Sequence, residues 1–207
     1  MKNKECMHPP QSKYEEFSAK YDFFMALPEF FFLNHHRRDL IRSASGEILE
    51  IAAGTGRNFV FYDKVQKVTA IDASPSMLEI SRKRILSRPD KFRLLVMDAE
   101  NLDFPDGAFD TVVSSLALCS ISDPIAALRE MSRVCRLNGR ILLIEHGRSS
   151  YEPIGKWQDR IADRFAQHFD CHMNRKPVEL VEQAGLKIVK QKNLYWGIVN
   201  MIEARPG

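Results

Sequence analysis

Hydrophobic residues occur in short runs rich in β-branched side chains, separated by stretches in which apolar residues recur every three or four positions. The alternation starts at Gly46 and repeats roughly every 20 to 30 residues. Parallel strands joined by crossover helices produce this pattern, so it predicts an α/β protein with a mostly parallel sheet. The predicted strands are Glu47–Ala52, Lys67–Ile71, Phe92–Met97, Phe109–Ser115, Arg140–Glu145, Lys187–Asn193 and Gly197–Glu203.

Proline and glycine mark the limits of the predicted helices. The runs Ser74–Ser76 and Ser122–Pro124 place a proline in a first helical turn. Asn138–Gly139 suits a left-handed cap at the end of the second of these helices. A third helix is predicted over Lys176–Ala184, ending at Gly185.

Only a few residues separate the last two predicted strands, so the sheet is expected to finish in an antiparallel hairpin. Residues 147–175, rich in charged and aromatic side chains, are predicted to form an insertion with one or two helices. A turn of small residues after the first strand is expected to lead into a further helix. The length of 207 residues fits one compact domain with a short appendage.

Composition excludes several classes of protein. Hydrophobic residues make up 44% and charged residues 28%, as in ordinary globular chains. The balance of 30 basic and 27 acidic residues is too even for nucleic-acid binding by charge alone. The cysteines show no C-x-x-C pair and no zinc-type spacing, which predicts reduced thiols in a cytosolic protein and no metal site. They are Cys6, Cys119, Cys135 and Cys171.

The polar first residues predict neither a signal peptide nor a membrane span. Phe23–Leu33 is the most apolar stretch near this end, but Pro28 and Glu29 interrupt it and it is too short to cross a bilayer. A pair of short amphipathic helices is expected there. Such helices can lie on a membrane surface, so peripheral contact with a membrane stays open.

Acidic residues at the ends of three predicted strands give the clearest indication of a bound ligand. Glu50 closes the first strand, ahead of a turn of small residues that lets a ligand approach the backbone. Asp72 ends the second strand, where a carboxylate can accept hydrogen bonds from a ribose diol. Asp98 ends the third, and the backbone N–H of Ala99 suits an adenine ring. Together they predict an adenosine-containing ligand, although each acid alone is equally well explained as a solvated residue or helix cap.

The chain resembles the class I S-adenosylmethionine-dependent methyltransferases in four runs, LEIAAGTGRN, VTAIDASPSML, VMDAENLDFPDGAFDTVVSSLAL and PIAALREMSRVCRLNGRILLIEH. The resemblance extends from Gly46 to the end of the chain. It implies a Rossmann-like, seven-stranded sheet of order 3-2-1-4-5-7-6, with strand seven antiparallel and helices on both faces. Dinucleotide dehydrogenases differ in their turn, which is G-x-G-x-x-G. Ala52 stands where the family usually has glycine, which implies a slightly altered turn with binding retained.

This resemblance assigns cofactor-binding roles to matching residues. Glu50 and the backbone from Ala52 to Gly56 would hold the methionine moiety, with Gly54 nearest. Asp72 would bind the ribose hydroxyls. The adenine would contact Met77, Asp98 and Ala99, and Ser115 with its neighbours would form the floor beneath the sulfonium. Tyr21 resembles the tyrosine that covers the cofactor in small-molecule members, although a core aromatic is the alternative reading.

A sulfonium methyl group is already activated, so positioning an acceptor accounts for much of the catalysis. If the acceptor is a thiol, phenol or amine, a general base would help, and His146 after the fifth strand is the candidate. Shaping the pocket or capping the next turn is the alternative for His146. His35 and His36 could also reach the site, or lie on a solvated helix face. Cys119 is expected in the pocket or core, since no companion base supports a nucleophile.

Substrate choice in this fold usually comes from the segment before the sheet and from the insertion after the fifth strand. The predicted division is an N-terminal helical cover, residues 1–45, and a cofactor-binding domain, residues 46–207. Both flanking segments are aromatic, which favours a small apolar or lipid-like acceptor of the thiol, amine or quinone type over a polymer. Packing in an ordinary core would explain at least half of these aromatics. They are Phe23, Phe24, Phe30, Phe31, Phe32, Trp157, Phe165 and Phe169.

The motifs also resemble small membrane-associated thiol methyltransferases and bacterial phosphatidylethanolamine N-methyltransferases. An RNA or protein methyltransferase is the alternative, because Arg37–Arg38, Arg42, Arg82–Arg84 and Arg88 could form basic patches. Such runs are usually solvated helix faces, so no nucleic-acid partner is expected. A binding module without turnover is a further alternative. The acceptor atom and the oligomeric state are not predicted.

Overall fold

The computed structural model describes residues 33–62 and 67–207. The described residues form one seven-stranded sheet of order β3-β2-β1-β4-β5-β7-β6, in which β7 runs antiparallel to both of its neighbours. This confirms the predicted strand order and terminal hairpin. The strands are β1 (Glu47–Ile51), β2 (Lys67–Asp72), β3 (Phe92–Val96), β4 (Phe109–Ser115), β5 (Cys135–His146), β6 (Lys187–Leu194) and β7 (Val199–Arg205).

Helices surround the sheet. They are α1 (Asn34–Arg42), α2 (Pro75–Ile85), α3 (Pro124–Val134), α4 (Glu152–Phe169) and α5 (Pro177–Gln183), with short 3-10 helices at Phe59–Phe61 and Pro89–Lys91. No helix within residues 33–62 and 67–207 combines the length and the apolar character that a membrane span requires. The stretch Phe23–Phe32 lies outside the described residues.

Alternation along the strands separates two apolar clusters. Leu49 and Val112 pack in one cluster, with α3 and α5, whereas their chain neighbours Ile48 and Val113 pack in the other, with α1. Successive side chains of a strand point to opposite faces of the sheet, so the helices on each face cover one cluster. The central strands are therefore buried on both sides, as the near-continuous hydrophobic runs predict.

The predicted starts of α2 and α3 are confirmed, and both helices carry a side-chain cap. Ser74 Oγ accepts a hydrogen bond from Met77 N at 3.3 Å. Asp123 Oδ1 accepts from Ile125 N and Ala126 N, both at 3.0 Å. In each case proline follows the capping residue.

The predicted helix end at Asn138–Gly139 is wrong, because α3 stops at Val134 and β5 begins at Cys135. Gly139 lies inside the strand, and a Cβ there would stand 2.7 Å from Cys135 Sγ and 2.8 Å from the Asp110 carbonyl oxygen. Glycine is therefore required by the close approach of neighbouring backbone and not by a left-handed cap.

One other element prediction differs from the structure. The turn after β1 leads only into the 3-10 helix Phe59–Phe61, in place of the expected helix, and residues 63–66 lie outside the described part. The insertion of residues 147–175 contains one helix, α4, which agrees with the prediction of one or two. Gly185 follows α5 with φ +84°, as its predicted stop requires.

Candidate cofactor-binding site

A cavity of about 330 Å³ opens where the carboxyl ends of the central parallel strands meet. Parallel strands end at one edge of a sheet, which is where open α/β folds place their ligands. The walls come from the turn after β1, the start of α2 and the segments after β3 and β4. Eight predicted cofactor residues line it, namely Glu50, Ala52, Gly54, Asp72, Met77, Asp98, Ala99 and Ser115.

The turn after β1 has an unusual backbone, which explains its small residues. Ala52, Gly54 and Gly56 have φ values of +49°, +56° and +78°. A Cβ at Gly54 would meet no atom within 4 Å, so this glycine leaves open space for a ligand beside the backbone. A Cβ at Gly56 would lie 2.6 Å from the Phe59 ring. Gly56 does not line the cavity, and the structure therefore gives it a packing role where a cofactor contact was predicted.

The Asp72 carboxylate connects the turn after β1 to the segment after β2. Its Oδ2 accepts a hydrogen bond from Gly54 N at 2.7 Å, and its Oδ1 accepts from Ser74 N at 2.8 Å. Burial raises the pKa of Asp72, against the opposing effect of these two hydrogen bonds. A carboxylate can accept about four hydrogen bonds, so the two backbone donors leave capacity for a diol.

Glu50 is a buried acid in the cavity wall, with 1% of its surface exposed. Asn58 Nδ2 donates to its Oε1 at 3.0 Å, whereas Oε2 has no hydrogen-bond partner within the described residues. Burial raises the pKa of Glu50 to about 7, against the opposing effects of Tyr62, Asn58 and Arg37. A buried acceptor without a partner is costly, and a cationic ligand group such as an ammonium would satisfy it.

The four remaining predicted residues in the wall combine apolar and polar surface. Met77 is 3% exposed in the first turn of α2, and Ala99 is 8% exposed after β3. Asp98 Oδ1 accepts from Glu100 N at 2.9 Å, which fixes the turn after β3. Ser115 Oγ is buried in the floor and has no partner within the described residues. The wall thus offers apolar contact for a ring beside polar groups free to bind it.

The other predicted residues lie elsewhere. His146 is not among the residues that line the cavity, and its Nε2 lies 3.3 Å from Cys171 Sγ behind the wall. Its role as a general base therefore stays a prediction that the geometry does not favour. His35 forms an exposed pair with Asp39 at 3.2 Å, and neither it nor His36 lines the cavity. Tyr21 lies outside the described residues.

Arg37, Asn58 and Asp170 are among the polar residues of the wall that were not predicted. Arg37 is 3% exposed on α1, Asn58 is 4% exposed after the glycine turn, and Asp170 follows α4 with φ +53°. In the sequence, Arg37 looks like part of a solvated basic run. However, Leu40 and Ile41 follow it by three and four positions, so all three lie on the same, apolar face of the helix. This spacing is the signal from which its burial could have been predicted. Its burial removes Arg37 from any exposed basic patch.

The Glu145 side chain holds the segment that forms the floor of the cavity. Glu145 Oε2 accepts hydrogen bonds from Ala117 N at 2.9 Å and Leu118 N at 3.1 Å, and its Oε1 accepts from Ser114 Oγ at 2.7 Å. Burial raises the pKa of Glu145 to about 8. The penultimate residue of β5 therefore holds the segment that follows β4 in place.

Comparison with known proteins agrees with this geometry. Residues 49–143 match a family model described as a methyltransferase domain. The chain is 31% identical to phosphatidylethanolamine N-methyltransferase of Cereibacter sphaeroides, over 73% of this chain and 75% of that protein. It is 33% identical to the ubiquinone/menaquinone biosynthesis C-methyltransferase UbiE of Burkholderia mallei, over 74% of this chain and 72% of that protein.

A third relative is longer. The mitochondrial methyltransferase OMS1 of Saccharomyces cerevisiae is 31% identical over 93% of this chain but only 45% of that protein, so the chain spans less than half of this relative's length. Because this relative is named as mitochondrial, the cytosolic location of the present chain stays a prediction.

Solved structures share the fold. A chain in the complex between the Haloferax volcanii Trm112 methyltransferase activator and a methyltransferase superposes with a TM-score of 0.75 at 17% identity, over 96% of this chain and 99% of that one. A methyltransferase from Thermotoga maritima gives 0.71 at 21% identity, over 94% and 98%. Sheet order, cavity geometry and these relatives lead to one conclusion. The chain belongs to the class I S-adenosylmethionine-dependent methyltransferases.

Proposed function

We propose that the protein transfers a methyl group from S-adenosylmethionine to a small apolar or lipid-like acceptor of the thiol, amine or quinone type. One observation carries the choice of acceptor: the aromatic insertion reaches the cavity. Asp170, the residue that follows α4, lines the cavity, and it comes directly after the half-exposed aromatic residue Phe169. Trp157, on the same helix, is also exposed to solvent. An aromatic surface next to a binding cavity favours hydrophobic small molecules over charged polymers.

The names of relatives support this class of acceptor. One relative is a phosphatidylethanolamine N-methyltransferase and another a quinone-pathway C-methyltransferase, and both align with about three quarters of this chain. A structural neighbour, similar in fold alone at 15% identity, is a geranyl diphosphate C-methyltransferase. These acceptors share a long apolar part, which is the property we propose for the acceptor here.

We further propose that the eight lining residues hold the cofactor as the resemblance implies. Glu50 would pair with the ammonium of its methionine part, Asp72 would accept from the ribose hydroxyls, and Asp98 with Ala99 would meet the adenine edge. The bound cofactor supplies a methyl group that its sulfonium charge has activated. The chain's own contribution is to orient the acceptor and to exclude water from the floor beside Ser115.

As the last part of the proposal, the N-terminal residues 1–45 would cover the cavity, and Tyr21 would have the cofactor-covering role that the resemblance implies. The described part of this segment supports it, because α1 contributes Leu40 and Ile41 to the core and Arg37 to the cavity wall. The α1 helix is thus anchored beside the site whose acceptor the whole segment would enclose.

A methyl-transfer screen with radiolabelled S-adenosylmethionine tests the acceptor class. The full chain is incubated with a hydrophobic thiol, phosphatidylethanolamine vesicles, a demethylated quinol and RNA. We expect label in at least one apolar acceptor and none in RNA. Label in RNA alone would overturn the proposed acceptor.

The matched variants are Asp72→Ala and Asp103→Ala, because Asp103 is an exposed acid outside the cavity. Asp72→Ala is expected to weaken cofactor binding by about 1.5–3 kcal/mol, since it removes hydrogen bonds to a charged group. Calorimetry measures this change, with Asp103→Ala remaining at the wild-type affinity. Equal affinities for both variants would remove Asp72 from the site.

A further inference from the structure

A cluster of two thiols and an imidazole lies behind the cavity wall. Cys119 comes from the segment after β4, His146 ends β5, and Cys171 follows α4. One ligand atom from each residue lies within 4.8 Å of the other two, and Cys171 Sγ is 3.3 Å from His146 Nε2. The three residues come from separate segments of the chain, so no motif of closely spaced cysteine and histidine residues predicts the cluster.

The distances suit a tetrahedral metal ion. Zinc binds thiolate sulfur at about 2.3 Å and imidazole nitrogen at about 2.0–2.1 Å, which places ligand atoms roughly 3.5–3.8 Å apart. The separations of the three atoms, 3.3 Å for one pair and at most 4.8 Å for the others, differ from these values by no more than about 1 Å, a change that rotation about side-chain bonds can supply. Two thiolates with one imidazole select a soft or borderline ion such as Zn²⁺ over Mg²⁺ or Ca²⁺.

Hydrogen bonds hold the backbone around the cluster in place. His172 N donates to the Cys119 carbonyl oxygen at 2.8 Å, which ties two ligand-bearing segments directly to each other. Arg175 Nη1 donates to the carbonyl oxygens of Leu118 and Ile121, in the same two segments. On the third side, Gln158 Nε2 donates to the Gly147 carbonyl oxygen at 3.1 Å, next to His146. The ligand positions are therefore set by hydrogen bonds that need no metal.

Two of the three ligand residues are buried. Thiolate is the form of cysteine that binds metals, and a bound cation stabilises that form. Cys119 is 3% and Cys171 9% exposed, so the site is shielded from bulk water.

We propose that Cys119, His146 and Cys171 form a Zn²⁺ site beside the cofactor cavity. The ion would join the segment after β4, which forms the cavity floor, to the end of α4, where Asp170 lines the same cavity. Three protein ligands leave a fourth position for water or another donor. In this role His146 is a metal ligand and not a proton acceptor.

Metal binding can be tested without cofactor or acceptor, so a failure here leaves the proposed function untouched. The full chain is reduced, treated with chelator, dialysed and then loaded with Zn²⁺ or Co²⁺. We expect one Zn²⁺ per chain by elemental analysis. The Co²⁺ form should show a thiolate-to-cobalt charge-transfer band and the strong visible absorption of a tetrahedral site. No stoichiometric binding, or a Co²⁺ spectrum without thiolate bands, would overturn the proposal.

Cysteine variants locate the site. Cys119→Ser and Cys171→Ser should each weaken Zn²⁺ binding at least tenfold and reduce the charge-transfer band. Cys135→Ser is the matched control, because Cys135 is also a buried free thiol but lies at the start of β5, outside the cluster. If Cys135→Ser weakens binding as much as Cys119→Ser does, the assignment is wrong. If a ligand variant does not fold, the intensity of the wild-type charge-transfer band still gives the number of thiolates bound to Co²⁺. Fewer than two bound thiolates would contradict the proposed site.

Discussion

Ala52 lines the cavity and has a backbone conformation that is costly for alanine. Its φ of +49° lies in the left-handed region, which disfavours a side chain with Cβ by roughly 1–2 kcal/mol. The family usually has glycine here, and the structure explains that preference by backbone conformation. Alanine is accommodated because the turn retains its hydrogen bonds, including Gly56 N to the Ala53 carbonyl oxygen at 2.9 Å.

The substitution Ala52→Gly should therefore raise the free energy of unfolding by about 1 kcal/mol, because glycine adopts this conformation without strain. Urea denaturation measures the change. Ala53→Gly is the control, since Ala53 is outside the left-handed region and glycine there should lower stability. The strain argument is wrong if the two variants shift stability in the same direction.

Glu50 gives a pH dependence whose sign follows from its burial. The pKa of about 7 in the folded protein exceeds the value of 4.5 for an ordinary glutamate. The folded state therefore holds the Glu50 proton more tightly than the unfolded state does. The stability that Glu50 contributes is complete below pH 4.5 and is lost as the pH rises through about 7. We expect the free energy of unfolding to fall by about 3 kcal/mol across this range because of Glu50 alone.

The test compares wild type with Glu50→Gln by chemical denaturation at pH 5 and pH 8, without cofactor. Glutamine cannot ionise, so the variant should gain stability relative to wild type at the higher pH. It should also bind the cofactor more weakly there, since the ionised carboxylate is lost. Parallel stability curves for the two proteins would show that Glu50 titrates normally.

The place of a residue in the cavity wall was predictable where a motif put it at a strand end, as for Glu50, Asp72 and Asp98. The motif order puts all three at one edge of the sheet, and the structure brings them to one cavity. Arg37 and Asp170 were not predictable in the same way, because their contacts depend on how α1 and α4 dock against the sheet. Local sequence does not specify that docking.

At the scale of elements, helix starts were predicted better than helix ends. A start such as Asp123 with Pro124 carries its own hydrogen-bond acceptor and a fixed φ. The end of α3 depends on β5, which pairs with β4 as early as Cys135 and Phe109. Sheet pairing therefore overrides the local turn preference of Asn138–Gly139.

Removal of the cap on α3 should be measurable. Asp123→Ala is expected to lower the free energy of unfolding by about 0.5–2 kcal/mol, because two backbone N–H groups lose their acceptor. Asp123→Ser keeps an acceptor and should retain most of the stability. Thermal or urea unfolding gives the comparison, and equal losses in both variants would mean that the cap contributes nothing.

For the molecule as a whole, exposed aromatic residues gather at the same edge as the cavity. Trp196 is 69% and Tyr151 55% exposed, with ring centroids 6.3 Å apart. Trp196 lies in the turn before β7, whose first residue pairs with His146 at the carboxyl end of β5. Aromatic side chains with one polar end favour a lipid–water interface.

We therefore expect the full chain to partition onto phospholipid vesicles through this edge. Trp196→Ser should lower the partition coefficient about tenfold, given the usual free energy for burying a large apolar side chain. Leu137→Ser is the matched control, because Leu137 is 86% exposed but lies near the start of β5, toward the opposite edge. Vesicle sedimentation measures both, and equal effects would point to unspecific hydrophobic adsorption.

The mostly parallel sheet and the hairpin were predictable from the hydrophobic runs and the lengths of the connections, whereas the strand order came from the resemblance to the methyltransferase family. The cover was a matter of expectation only, since residues 1–32 lie outside the described part. The Cys119–His146–Cys171 cluster could not be predicted, because only the folded sheet and the docked α4 bring the three side chains together.

The hydrogen bonds of Asp72 have a kinetic consequence. Gly54 N and Ser74 N both donate to this carboxylate, so hydrogen bonds within the protein are sufficient to hold the loop in shape. Association should then be limited by diffusion and not by rearrangement. The amide protons of Gly54 and Ser74 should accordingly exchange slowly with deuterium in the free protein, and Asp72→Ala should release both.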